Sequence, residues 1–167
     1  MSKYGLRFDL VETPRQIRQL GDFMRANVGS YGMSRHQAWV DDVCLPGVER
    51  GERPTLAWWE HGRMIGDSVL KVVAPNIVEV KNFRIRDGYD RHSLGSVMMD
   101  YTMDEAVALL DERGAISSDT NAITVQLDTG PDLETYFASH HFVTVGKAEL
   151  YVPGREEVIM QRTVPLQ

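Results

Sequence analysis

A chain of 167 residues with 43% apolar and 25% charged residues is long enough to bury one sizeable core, and it reads as a single soluble domain over residues 1–167. The net charge of −6 gives no general attraction for nucleic acid or for an anionic membrane surface. The one cysteine, Cys44, excludes an internal disulfide, and no apolar segment has signal-peptide or membrane-spanning character, so the expected location is cytoplasmic.

Leu6–Glu12 alternates apolar and polar residues and reads as a strand. Thr13-Pro14 supplies an N-cap followed by proline at the first helical position, and Ile17, Leu20, Phe23 and Met24 recur at helical spacing behind it. The two glycines of "NVGSYGMSR" break that helix. A shorter one is expected over Arg35–Val43, with a polar loop from Pro46 through Pro54. Cys44, in "DDVCLPG", is either a nucleophile or a small buried apolar residue, the commoner fate of a lone cysteine.

"TLAWWEHGRMIGDSVLKVV" reads as two strands around the turn at His61-Gly62, and "NIVEVKNFRIR" as a third. Ser93–Glu112 is a helix with Met99, Met103, Ala106 and Leu110 as its core stripe, widened by Leu94, Val97, Met98 and Tyr101. Asp100, Asp104 and Asp111 lie on its solvated side. Ala122–Leu127 is short, β-branched and uncharged, as a central strand should be. Pro131–His140 is a short helix, "FVTVGKAELYV" a strand, and "EVIMQRTV" a final strand apolar enough to pair across a homodimer. The order β-α-α-β-β-β-α-β-α-β-β predicts an α/β (α+β) fold: a mixed sheet with helices on both faces.

The stretch "IRDGYDRHSLGSVMMDYTMDEA" puts Arg91, His92, Ser93 and Gly95 together where a strand hands over to a helix. Two readings fit. Ser93 or Ser96 caps the helix and Gly95 eases packing, or the unpaired first-turn amides and the helix dipole bind an anion beside Arg91 and His92.

The run "NFRIRDGYDRHSLGSVMMDYTMDEA" resembles the signature of the GNAT superfamily of N-acetyltransferases, in which a strand ending Val-x-Pro-x-Tyr precedes an Arg- or Gln-initiated glycine turn and a helix carrying Leu-Leu. Ile85 falls on the Val, Asp87 on the Pro, Tyr89 on the aromatic position, Ser93 and Gly95 on the two glycines, and Met98-Met99 on Leu-Leu. Asp90 stands where the family has Arg or Gln, and an acidic side chain there repels a pyrophosphate unless it points away. The resemblance implies a mostly antiparallel twisted sheet of six or seven strands. It also implies acetyl-CoA or another acyl-CoA as cofactor, its pantetheine along Ile85, Arg86 and Asp87 and its pyrophosphate on Arg91, His92, Ser93, Leu94, Gly95 and Ser96.

Acyl transfer from a thioester to an amine needs a base for the ammonium, a donor for the thioester oxygen and a way to stabilise the thiolate. Glu79, six residues before Ile85, stands where the histone-acetylating branch has its general base; the alternative is a Glu paired with Lys81 or Lys71. The Ile85 amide would serve the oxygen. Counting back from Phe142, Phe137 takes the place of the family's acid Tyr, beside the coenzyme sulfur, and His141 that of its Gly. Tyr136 is one position early. Tyr31 and Trp58 are candidates for the amine pocket; a small-molecule or peptide amine is the expected acceptor. His140-His141 completes no metal-ligand set, so no metal is expected. A catalytically inactive binding or structural module on the same fold is the alternative, and an unrelated α/β protein the third reading.

Overall fold

The computed structural model describes residues 5–27, 33–89 and 92–167. Seven strands form one sheet in the order β1-β2-β3-β4-β5-β7-β6. They are β1 (Leu6–Leu10), β2 (Thr55–Glu60), β3 (Arg63–Ala74), β4 (Ile77–Ile85), β5 (Ala122–Thr129), β6 (Val143–Ala148) and β7 (Glu157–Pro165). The β1–β2, β2–β3, β5–β7 and β6–β7 pairs are antiparallel, and β4–β5 is parallel. This is the mixed, mostly antiparallel sheet expected of the sequence. By contacts the chain divides into two compact units, Met1–Val69 with Asn82–Leu94, and Leu70–Lys81 with Gly95–Gln167.

In the first unit, α1 (Pro14–Ala26) starts where the sequence places it. Thr13 Oγ1 accepts from the Gln16 amide at 3.2 Å while Gln16 Oε1 accepts from the Thr13 amide at 3.0 Å, so two otherwise unpaired N–H groups are satisfied reciprocally. Leu20, Phe23 and Met24 are buried and pack with Val40, Cys44, Val48, Ala57, Trp59, Met64 and Val69. The second helical region runs further than the sequence suggests. α2 (Met33–Trp39) passes into a π-helical stretch, Val40–Cys44, and then into α3 (Leu45–Glu49). Pro46 lies in the first turn of α3, where its missing N–H removes no helical bond, so the expected polar loop begins only after Glu49.

In the second unit, burial alternates perfectly along β5: Ile123, Val125, Leu127 and Thr129 are buried and the residues between them are not. α4 (Ser93–Glu112) buries Met99, Met103, Ala106 and Leu110, and Met98 beside them, as expected, and also Thr102 and Leu109. Val97 and Tyr101, expected to widen the stripe, instead remain 42% and 46% exposed, because they lie on the flank turned from the core. The strand expected over 142–152 is shortened to β6, with a bulge between Thr144 and Gly146. The sequence "EVIMQRTV" is indeed a strand, but β7 lies between β5 and β6 in the sheet order, with Glu157–Gln161 paired to β6 and Val158–Pro165 to β5. Its apolar character reflects an interior position.

Candidate functional site

The parallel ladder between β4 and β5 is short: Ile77↔Thr124, Val78↔Val125 and Glu79↔Gln126. Beyond Glu79 the strands part. Val80 and Lys81 continue β4 without a register partner on β5, while Leu127, Asp128 and Thr129 keep theirs on β7. Within the second unit, Glu79 and Lys81 therefore stand at the point of divergence. Lys81 Nζ pairs with Glu79 Oε1 at 2.6 Å, the pairing the sequence holds open as the alternative to a catalytic role. Asp128 follows Gln126 by two residues on β5 and so shares its side of the strand. Tyr151 donates its hydroxyl to Asp128 Oδ1 at 3.0 Å. Burial raises the Asp128 carboxyl above its ordinary range and the Glu79 charge adds to that, while the Tyr151 hydrogen bond and Lys81 act the other way.

The rest of β4 belongs to the first unit. Ile85 is buried. The Arg86 amide donates to the Ile65 carbonyl at 2.7 Å, and its guanidinium donates to the Met64 carbonyl at 3.1 and 3.0 Å while lying over the Phe23 ring. Arg86 is thus committed to β3 and to α1. The chain then turns through Asp87 and Gly88, whose φ of +90° is one that glycine alone adopts without strain, and the Tyr89 amide closes the turn on the Arg86 carbonyl at 3.3 Å. Tyr89 donates its hydroxyl to Glu60, which holds the turn against β2 and raises the phenol's pKa. Asp90 and Arg91 lie outside the described residues. α4 opens with Ser93, and of its first turn Ser93 and Ser96 are exposed, Leu94 is half-buried and Gly95 is buried; His92 before it is exposed. A helix beginning there leaves its first amides without partners inside the helix.

α5 (Glu134–Ala138) ends in a motif that explains the register of the chain around it. The Phe142 amide donates to the Phe137 carbonyl at 3.2 Å and the His141 amide to the Ala138 carbonyl at 3.1 Å, the paired bonds of a Schellman cap. His141 has φ +67°, the left-handed position in which glycine is usual. Phe142 packs on Phe137 with ring centroids 6.0 Å apart, the apolar contact that accompanies such a cap. Phe137 is therefore buried, and Tyr136 lies edge-on against Phe137 and His140.

Trp58 does not line an open pocket. It has no exposed surface and packs edge-on against Phe8, the ordinary fate of a strand tryptophan. Tyr31 lies outside the described residues. Cys44 is buried, and its thiol is pushed up to about 12, first by burial and then by the neighbouring Asp67 charge, so it is no nucleophile. Among the described residues no three His, Cys, Asp or Glu side chains are grouped to hold a metal ion, and no helix is long and apolar enough to cross a membrane.

Three polar residues escaped the sequence reading. Asp128 and Tyr151 carry no motif. Asp67 carries a faint one, an acid set inside the apolar run "MIGDSVL". It has no exposed surface, accepts from Asn82 Nδ2 at 2.7 Å through Oδ2, and is pushed up to about 6 by burial, against the opposing effects of the Asn82 hydrogen bond and the Arg84 charge.

No protein-family model matches the sequence, and none of the curated proteins is similar to it. Its architecture does have counterparts among solved structures. An acetyltransferase of the GNAT family from Streptococcus pneumoniae superposes with a TM-score of 0.65 at 15% identity, over 95% of this chain and 99% of that one. This chain has the GNAT fold. An acyl-CoA N-acyltransferase from Pseudomonas aeruginosa matches with a TM-score of 0.67 at 19% identity, covering 94% and 99% of the two chains. The PaiA N-acetyltransferase from Thermoplasma acidophilum, solved in complex with coenzyme A, matches with a TM-score of 0.65 at 14% identity, covering 93% and 98%. The likeness to these structures runs over nearly the full length of each chain, with little sequence in common.

Proposed function

We propose that this protein is an acyl-CoA-dependent N-acyltransferase that moves an acyl group, acetyl in the simplest case, onto a primary amine by direct attack. The observation that carries the reading is the parting of β4 from β5 directly after Glu79↔Gln126, on a strand that leads through a glycine turn to the helix starting at Ser93. Strands that diverge leave backbone groups for an extended ligand to pair with. A helix N-terminus with small residues suits a pyrophosphate. The coenzyme A complex of a protein with this fold supports the same cofactor here.

In this reading the pantetheine runs along β4 toward Ile85, whose amide faces the thioester oxygen, and the pyrophosphate rests on the Arg91–Ser96 segment. Glu79 takes the ammonium proton, and Lys81, 2.6 Å away, moves aside as the amine arrives. Phe137 offers no proton to the leaving thiolate; Tyr136, one position earlier, is the residue that supplies one. Mass spectrometry of the protein purified under non-denaturing conditions, followed by a panel of amines with acetyl-CoA, tests this. Bound coenzyme A and turnover of at least one amine are expected; neither at millimolar concentrations overturns it.

One alternative draws on specific observations. Phe137 in the place of the acid and the Glu79–Lys81 ion pair suit a GNAT-fold protein that binds a ligand or partner without catalysis. Coenzyme A binding without turnover of any amine favours it.

A further inference from the structure

We propose that Asp67 is a positioning residue: through its hydrogen bond to Asn82 it sets whether the outer end of the Asn82 side chain accepts or donates, and so whether an amine acceptor is held. The role rests on the transferase reading above.

Asp67 sits in β3 opposite Ala57 of β2, inside the first unit and away from solvent. A strand interior is a poor place for an aspartate, and burial of a carboxylate is costly unless both oxygens are served. Here only one is. Oδ2 accepts from Asn82 at 2.7 Å, and Oδ1 is buried with no hydrogen-bond partner among the described residues.

The consequence lies in Asn82. A carboxylate only accepts, so the Asn82 amide turns its NH2 toward Asp67 and its carbonyl oxygen away. When Asp67 takes a proton from solvent it gains a donor. Asn82 then turns over, accepting from the Asp67 hydroxyl through its carbonyl and directing its NH2 outward. An acceptor amine, which brings N–H groups, is held by the first arrangement and rejected by the second.

Position supports this. Asn82 is half-buried, lies three residues before Ile85 on β4 and shares a side of the strand with Arg84. Arg84 donates to the Asn27 carbonyl just past α1, so this side of β4 adjoins the end of α1. The groups that act on Asp67 are few. Arg84 on β4 favours its anion, and Cys44 of the π-helical stretch is a neutral thiol, itself also under the influence of Arg53. The midpoint of the exchange is set by burial against Arg84 and Asn82 and falls at about 6.

The first test needs no turnover. Side-chain amide signals of 15N-labelled protein are followed between pH 4.5 and 8, the Asn82 pair being identified by its loss in Asn82→Ala. These signals are expected to move with a midpoint near 6 in the wild type and to stay still in Asp67→Asn. Signals that ignore pH, or that move alike in Asp67→Asn, overturn the proposal.

The second test is kinetic. With an amine that turns over, kcat/KM should fall below the same pH and lose that limb in Asp67→Asn. Asn82→Ala should raise KM for the amine about ten- to a hundredfold, the loss of one hydrogen bond to a charged group, with kcat little changed. A folded Asp67→Asn protein that keeps the wild-type limb overturns the positioning role. Should the Asn82 signals follow Asp67 while no amine turns over, the transferase reading fails and the positioning role with it, although coenzyme A binding is tested separately.

Discussion

At position 67 a carboxylate occupies a site where burial asks for an apolar side chain, and its proton affinity records the conflict. The unfolded chain titrates this group near 3.8 and the folded chain near 6, so between those values the folded protein holds the proton more tightly. Stability therefore falls as pH rises through that window, and above it the buried charge costs ~3 kcal/mol. Asp67→Asn removes the charge without changing the shape. We expect its melting temperature at pH 7.5 to exceed the wild type's by as much as about 6–12 °C, at roughly 2–4 °C per kcal/mol for a chain of this length, with the gain gone at pH 4. Equal gains at both pH values, read by calorimetry, would contradict this account. Glu79 is tested differently, by rate. Glu79→Gln should lower kcat about 10²- to 10⁴-fold and flatten its pH dependence, and an unchanged profile removes Glu79 from the mechanism. Glu79 could be singled out in the sequence because its distance from Ile85 along one strand is a local quantity. Asp67 could not, because what distinguishes it is Asn82 fifteen residues on and its complete burial.

Among the elements, helix ends are the features most open to prediction, since a cap involves residues three or four apart. Thr13-Pro14 and Gln16 were enough to place the start of α1, and the reciprocal bonds follow. Thr13→Ala should cost about 1 kcal/mol and lower the melting temperature by about 2–4 °C, measured with the fold otherwise intact by far-UV circular dichroism. The start of α4 separates stability from binding. Ser96 is exposed in its first turn, so Ser96→Glu places an anion where the dipole favours one and should leave the free protein as stable or slightly more so. The same charge repels a diphosphate, and the stabilisation by coenzyme A should shrink by at least half. Equal coenzyme A stabilisation in variant and wild type would move the pyrophosphate away from this turn. The π-helical stretch at Val40–Cys44 had no such signature. It widens one turn so that Val40 and Cys44 both reach the core, a result of packing rather than of local preference.

For the whole molecule, the measurable consequence of a working cofactor site is mass action. A ligand at a hundred times its dissociation constant stabilises the folded chain by ~2.7 kcal/mol, which corresponds to about 5–11 °C in a thermal melt. Coenzyme A and acetyl-CoA should both produce such a shift, and adenosine without phosphates should not. The absence of any shift at millimolar coenzyme A would leave a protein with this fold and no cofactor.

The sequence by itself determined the strands and their order, the cap of α1, the central place of Ala122–Leu127 and the turn ahead of α4, because each rests on periodicities or on side chains within a few residues of one another. Only the tertiary structure decided that β7 is an inner strand, that Trp58 is core, and that Asp67 meets Asn82 and Asp128 meets Tyr151. Burial, sheet position and the strength of a charge depend on neighbours brought together from distant parts of the chain, and no local pattern contains them.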